Sequence, residues 1–360
     1  MADKPTPPNH LIRESLRSMP GYRLTSYDCP VKLNQNESPY EIPGDLKRRI
    51  LDRVCSEAWG RYPEPMPTDL VGALANHAGV DPGRVVVSNG SNTLVQHLLL
   101  TTITTGTRVV IPSPSFSLYG QYVTICGGQP VFVDLDEQFG FDTDALHRAI
   151  AQEQPGVVIL CAPNNPTGCD IDNDSLIDLL EATDGFVVVD EAYGEFTDRT
   201  AVDLLDRYAN LVVLKTLSKA FGGAGIRIGY LIAHPDIVAH VLKVKLPFDI
   251  NTFSRIAALE LLEHADLIRE HASQICQERT RLFGALEKVR GITPYPTSAN
   301  LILFDVGTPD IIFDRLVERG VLVRNVSGYP NLSRCLRVSV GTPEENDTFL
   351  EALQKSLGVT

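Results

Sequence analysis

FVVVDEAY (186–193) is followed, 29 residues after its aspartate, by the lysine of TLSKAFGGAGIR (216–227), and these two stretches decide the fold. Four apolar residues ahead of Asp190 read as a fully buried strand, so the carboxylate arrives at the strand's carboxyl end with little water to solvate it. It needs a cation. The next apolar run, LVVLKTL (211–217), is a second such strand and delivers Lys219 to the same sheet edge, where open α/β folds place their ligands. An acid and an amine therefore face one crevice.

Pyridoxal phosphate uses that combination: a lysine amine forms a Schiff base with its aldehyde, and a carboxylate keeps the ring nitrogen protonated so that the ring acts as an electron sink. Other readings of the same residues exist. A buried aspartate after a strand is commonly a helix cap or half of a structural ion pair. Ser218-Lys219 could serve a Ser-Lys hydrolase, and GGAGIRIG (222–229) could be a nucleotide loop. A dinucleotide fingerprint needs glycine three residues after its second glycine, and counting from Gly223 and Gly225 that place holds Ile228.

Composition frames the reading. With 360 residues, 43% of them hydrophobic, the chain can bury a large core, and its length predicts two domains better than one. A formal charge of −13 disfavours nucleic acid or an anionic membrane surface as partner, while leaving room for a local basic site. The seven cysteines are odd in number, scattered and free of any CxxC pair, which indicates neither zinc nor a disulfide framework and points to a reduced, cytoplasmic setting. The eight histidines form no metal-like pair, and His264 with His271 read as a solvated helix face. No segment has the form of a signal peptide or the length of a membrane span.

Apolar runs alternate with helical patterns: RVVVS (84–88), RVVIP (108–112), VFVD (131–134), GVVILC (156–161), FVVVD (186–190), LVVLK (211–215) and IRIGYLIA (226–233). The fold class expected is α/β, a mostly parallel seven-stranded sheet flanked by helices, with a smaller α+β domain. One long helical stretch is predicted over roughly 252–289, then strands at NLILFD (300–305) and CLRVSV (335–340). A last helix is announced by Thr342 as N-cap, Pro343 and a capping-box Glu345. The division expected is an arm with part of the small domain over 1–40, a large cofactor-binding domain over 41–250 and a small domain over 251–360.

Other segments supply what a phosphorylated aromatic cofactor requires. After RVVVS, Gly90 and Ser91 open a helix whose N–H groups and positive dipole end suit a phosphate, although an ordinary serine cap reads the same way. CAPNNPTG (161–168) makes a turn at the carboxyl end of a core strand, where Asn165 is placed to donate to a phenolate oxygen, and Tyr193 is a second donor of that kind. Thr216, Ser218 and Arg227 flank Lys219 with two hydroxyls and a guanidinium suited to phosphate.

Taken with LNQNESPY (33–40), RYPEP (61–65), SNGSN (88–92), PSPSFSLY (112–119), GVLVRN (320–325) and LRVSVGT (336–342), these motifs resemble the fold-type I, class I/II aminotransferases, and among them the histidinol-phosphate aminotransferase family. The resemblance covers nearly the whole chain. It implies that Lys219 carries pyridoxal 5'-phosphate covalently and shuttles the proton, and that Asp190 pairs with the ring nitrogen. It further implies that Asn165 and Tyr193 bond the phenolic oxygen, and that Ser91, Asn92, Thr216, Ser218 and Arg227 hold the phosphate. Tyr62 of RYPEP would reach the neighbouring subunit's cofactor, making the enzyme a homodimer with shared sites. Arg337 would clamp the carboxylate of glutamate, Arg324 and Arg337 together the phosphate of histidinol phosphate, and Tyr22 would be a further substrate contact. Departures from the pattern are Phe116, where a tyrosine usually stacks on the ring, Asn92, where an acid is frequent, and Phe248, where tyrosine is usual. They leave open an aromatic amino-acid aminotransferase or a threonine-phosphate decarboxylase. A different class, a phosphate- or nucleotide-binding protein without covalent chemistry, stays as the alternative, separable by the visible absorbance of a bound aldehyde cofactor.

Overall fold

The computed structural model describes residues 9–21 and 25–358. A short strand β1 (Val31–Lys32) precedes the seven apolar runs, which form β2 (Val85–Ser88), β3 (Arg108–Ser113), β4 (Gln129–Asp134), β5 (Val157–Cys161), β6 (Phe186–Asp190), β7 (Leu211–Thr216) and β8 (Gly229–Ala233). They make one sheet in the order β2-β8-β7-β6-β5-β3-β4. The pairs among β3 to β7 are parallel, and β8 runs against both β2 and β7. The 217–228 connection contains no helix to carry the chain across the sheet face, so β8 returns antiparallel beside β7. That return leaves both Lys219 and Arg227 at the sheet's carboxyl edge.

The strand expected at 226 begins only at Gly229, because Arg227 takes a positive φ of 61° that no strand accommodates. Along β6, Val187 and Val189 join one apolar layer while Val188 joins the other, the period-two alternation of a strand covered on both faces. Each such side chain contributes about 1.5–3 kcal/mol by leaving water, which fixes the register and with it the position of Asp190.

Beyond the main sheet lie β9 (Thr293–Pro294), β10 (Leu301–Asp305), β11 (Val321–Leu322), β12 (Arg324–Asn325) and β13 (Cys335–Ser339). An antiparallel sheet runs β12-β13-β10-β9, and β1 pairs with β11, so the chain's early segment is stitched to its last third. A third apolar cluster joins Leu33 to Leu282, Phe304 and Phe349. The closing helix Pro343–Leu357 has the capping box expected from Thr342 and Glu345.

The single helical stretch expected over 252–289 is two helices, Thr252–Glu263 and Ala265–Leu286. His264 breaks them with φ −109° and ψ 32°, its Nδ1 lying 2.8 Å from the Glu260 carbonyl. Nor do His264 and His271 mark a solvated face: both are half-buried, and His271 stacks on Tyr40 at 4.7 Å. No helix among the described residues is long and apolar enough to cross a membrane.

Candidate active site

Asp190 ends β6 at the carboxyl edge and is 3% exposed. Its Oδ2 accepts the Tyr119 hydroxyl at 2.7 Å and its Oδ1 the Ala192 N–H at 3.0 Å. Among the described residues no cation pairs with it at ion-pair distance. Burial raises its pKa to about 6, against the pull of those two hydrogen bonds. The nearby Lys219 charge also pulls it down, more weakly than either hydrogen bond.

Lys219 lines the same cleft, its Nζ donating to the Gln35 carbonyl at 2.8 Å. Burial first, then the nearby Arg337 guanidinium, lowers its pKa to about 8, so the amine is substantially neutral in mildly alkaline water. A neutral amine is a nucleophile. The Tyr193 ring lies 5.8 Å from Nζ, and its hydroxyl accepts the Asn36 amide at 2.9 Å, leaving the phenolic proton to donate. Burial pushes the Tyr193 hydroxyl up, which keeps it a neutral donor.

At the cleft's other end the helix Ser91–Thr102 starts from Gly90 without a side-chain cap and without an acid in its first turn. Its leading N–H groups and dipole are therefore available to an anion. A Cβ on Gly90 would stand 2.6 Å from an Arg227 guanidinium nitrogen, and one on Gly229 would stand 2.2 Å from the Ser91 nitrogen. Glycine at both positions lets the guanidinium and the sheet close on the helix start. Thr216 Oγ1 donates to Ser218 Oγ at 3.0 Å, and Arg227 Nη1 donates to the same oxygen at 3.3 Å. Two hydroxyls, a guanidinium and a helix N-terminus thus converge.

Arg324 and Arg337 are direct cross-strand partners on β12 and β13 and line the cleft. Like charges placed opposite one another disfavour the pairing by themselves, and an anion between them removes the conflict. Arg337 donates to Asn165 Oδ1 at 2.5 Å and to the Asn34 carbonyl at 2.6 Å. With its oxygen taken, the Asn165 side chain presents its amide protons as the remaining polar group. The lining includes four basic side chains (Lys219, Arg227, Arg324, Arg337) against two acids (Glu37, Asp190), a local excess of positive charge in a chain of −13.

Of the residues expected from sequence, Ser91, Asn92, Phe116, Asn165, Asp190 and Tyr193 come together around one cavity of about 480 Å³. Thr216, Ser218, Lys219, Arg227, Arg324 and Arg337 complete that set. Tyr62 does not join it: it is 83% exposed, with its ring 4.9 Å from Phe248. Tyr22 lies outside the described residues. Sequence reasoning assigned nothing to Tyr119, which holds Asp190, or to Asn34, Gln35 and Asn36, which hold Arg337, Lys219 and Tyr193. The polar run of LNQNESPY and the tyrosine three residues after Phe116 were the available signals.

A buried carboxylate beside a neutral-leaning lysine, with an anion cradle at the start of a helix on the carboxyl edge of an α/β sheet, defines the pyridoxal-phosphate-dependent transferases of fold type I. A family model described as aminotransferase class I and II matches residues 30–353. The histidinol-phosphate aminotransferase of Chlorobaculum tepidum is 39% identical over 347 residues, covering 96% of this chain and 100% of the relative. That of a Thermoanaerobacter species is 38% identical over 348 residues, covering 97% of this chain and 99% of the relative. Among solved structures, the Sinorhizobium meliloti histidinol-phosphate aminotransferase in complex with pyridoxal-5'-phosphate superposes with a TM-score of 0.87 at 25% identity, covering 96% of this chain and 97% of that one. The chain belongs to the class I and II aminotransferases and, within them, to the histidinol-phosphate aminotransferase family. Its cofactor is pyridoxal 5'-phosphate. The residues present fit that group: the buried Asp190 carboxylate would suit a ring N–H, and the uncapped helix start at Ser91 with Thr216, Ser218 and Arg227 would suit a phosphate.

Proposed function

We propose that the enzyme transfers the amino group between histidinol phosphate and 2-oxoglutarate, in the cytoplasm, as a homodimer with shared sites. The observation that carries the choice of substrate is the cross-strand pair Arg324 and Arg337, two guanidiniums that line the cleft and suit an anion. One substrate brings a carboxylate and the other a phosphate, and a planar guanidinium fork matches either. The relatives' names support the same reading.

Bound pyridoxal phosphate supplies an aldehyde that accepts the amino group and a protonated ring that accepts the electrons left when the substrate's Cα–H bond breaks. In this reading Asp190 holds the ring-nitrogen proton, its ionised form restored by the positive charge it faces. Lys219 would take the Cα proton at Nζ and return it to the cofactor's former aldehyde carbon, across the amino nitrogen, a task its lowered pKa suits. Asn165 and Tyr193 donate to the phenolic oxygen. Ser91 and Asn92, through their backbone, with Thr216, Ser218 and Arg227, hold the phosphate, and Phe116 covers the ring.

Arg337 serves both substrates, and Arg324 adds to the phosphate of one. Tyr62, exposed beside Phe248, is assigned to the partner subunit's cofactor phosphate, and Tyr22 to substrate. The division into an arm (1–40), a large domain (41–250) and a small domain (251–360) belongs to the same proposal.

The test is a panel of histidinol phosphate, aromatic amino acids and threonine phosphate, each offered with 2-oxoglutarate, following amine loss and release of carbon dioxide. Fastest turnover is expected with histidinol phosphate and no carbon dioxide. Brisk turnover of an aromatic amino acid beside poor turnover of histidinol phosphate, or stoichiometric carbon dioxide, overturns the reading.

A further inference from the structure

Behind the start of the helix Ser91–Thr102 lies a buried charge pair that none of the roles above uses. Asp249, in the connection between the helices Pro235–Val244 and Thr252–Glu263, accepts the Ser88 hydroxyl on Oδ2 at 2.6 Å and takes the Lys245 ammonium on Oδ1. The Lys245 side chain is 2% exposed and that of Asp249 12%. Lys245 also donates to the Leu246 carbonyl at 3.2 Å, so two of the three ammonium protons have partners. Ser88 ends β2, and its carbonyl accepts the Gly90 N–H at 2.7 Å, one residue before the helix begins. The hydrogen bond from Ser88 to Asp249 is therefore anchored at the foot of the turn that leads into the Ser91 and Asn92 N–H groups.

The neighbouring residue ties the hub to a second segment. Phe248 takes a positive φ of 62°, donates its N–H to the Pro65 carbonyl at 3.4 Å, and packs its ring against Tyr62. A non-glycine residue in that region is held there by its surroundings. A buried Lys–Asp pair adds little net stability, because desolvation offsets most of its attraction, and an apolar pair of similar volume would serve the core as well. Its value lies in direction: the two carboxylate oxygens accept from the serine and the ammonium at once, one each.

We propose that Asp249 is a positioning residue for the cofactor phosphate, acting through Ser88 on the Ser88–Ser91 turn, with Lys245 holding the carboxylate in place. This rests on the assignment of that turn, with Arg227, as the phosphate cradle.

Wild type, Asp249→Asn, Ser88→Ala and the double variant Lys245→Met/Asp249→Leu, all stripped of cofactor, are titrated with pyridoxal phosphate, with pyridoxal and with inorganic phosphate as competitor. Unfolding in urea is followed alongside. Asp249→Asn and Ser88→Ala should raise the pyridoxal phosphate dissociation constant about tenfold to a hundredfold, the range for loss of a group that orients a binding shell. Competition by inorganic phosphate should weaken in parallel, and pyridoxal binding should stay unchanged. The double variant should regain the urea midpoint that Asp249→Asn loses without regaining phosphate affinity.

Unchanged pyridoxal phosphate affinity, equal losses for pyridoxal and its phosphate, or rescue of both affinity and midpoint in the double variant would overturn the inference. Should Asp249→Asn not fold, Ser88→Ala, which removes a single hydroxyl, decides the question. Wild-type protein that binds pyridoxal as tightly as its phosphate would overturn the cradle assignment itself, a failure recognisable without any variant.

Discussion

Replacing Asp190 by asparagine should stabilise the cofactor-stripped protein while disabling the loaded enzyme. The carboxylate is buried with a pKa of about 6, against about 3.9 for an ordinary aspartate, a gap worth about 3 kcal/mol as an order of magnitude. Because the folded state binds this proton more tightly than the unfolded chain, the group costs stability progressively as pH rises from about 4 through about 6, and the full cost stands above that window. Asparagine keeps the contacts, its oxygen accepting the Ala192 N–H and its amide donating to the Tyr119 hydroxyl, but carries no charge to desolvate. At about pH 8 the stripped variant should resist urea better than wild type by up to about 3 kcal/mol, with the advantage gone near pH 4. Loading reverses the order, since the cofactor's ring N–H supplies the missing positive charge only to the carboxylate. Turnover of the loaded variant should fall about 10² to 10³-fold, the scale of one lost electrostatic stabiliser. A stripped variant less stable than wild type at the higher pH, or a difference that ignores pH, would refute the desolvation argument.

Borohydride reduction of the loaded enzyme and peptide mapping should place the pyridoxyl label on Lys219, and a label elsewhere removes that assignment. The rate of cofactor capture by stripped enzyme should climb with pH through about 8 as the amine loses its proton, and Arg337→Ala should move that climb to higher pH by removing a neighbouring positive charge. Mixing inactive Lys219→Ala subunits with Tyr62→Phe subunits should restore activity, because one site of each heterodimer then carries neither change; no recovery despite proven subunit exchange places Tyr62 in its own chain's site. Single-turnover rates should show Arg324→Ala losing on the order of 2–5 kcal/mol with histidinol phosphate and much less with glutamate, whereas Arg337→Lys impairs both; equal losses in Arg324→Ala would contradict the division between the two arginines.

The parallel sheet and the residues at its carboxyl edge were legible because they follow local rules. A buried parallel strand must be apolar along its length, so FVVVD and LVVLK announce themselves, and whatever follows each one is delivered to the same edge. Gly90 before Ser91, and hydroxyls around Lys219, are likewise features of a few consecutive residues.

Contacts between segments far apart in sequence carried no such signal, because each partner taken alone has an ordinary explanation. The Asn36 that bonds Tyr193 is 157 residues away from it, the Tyr119 that holds Asp190 is 71 away, and Asn165 is 172 from Arg337. Arg227 looked like part of a strand until the return of β8 turned it out with a positive φ, and the break at His264 is set by a side chain closing on a carbonyl rather than by any helix-breaking residue. The cross-strand meeting of Arg324 and Arg337 depends on register, which pairing across β12 and β13 decides. Sequence determined which groups the chain owns and on which edge of the sheet they lie; the tertiary structure decided which of them share a cleft, what burial does to the Asp190 and Lys219 protons, and that Tyr62 faces outward.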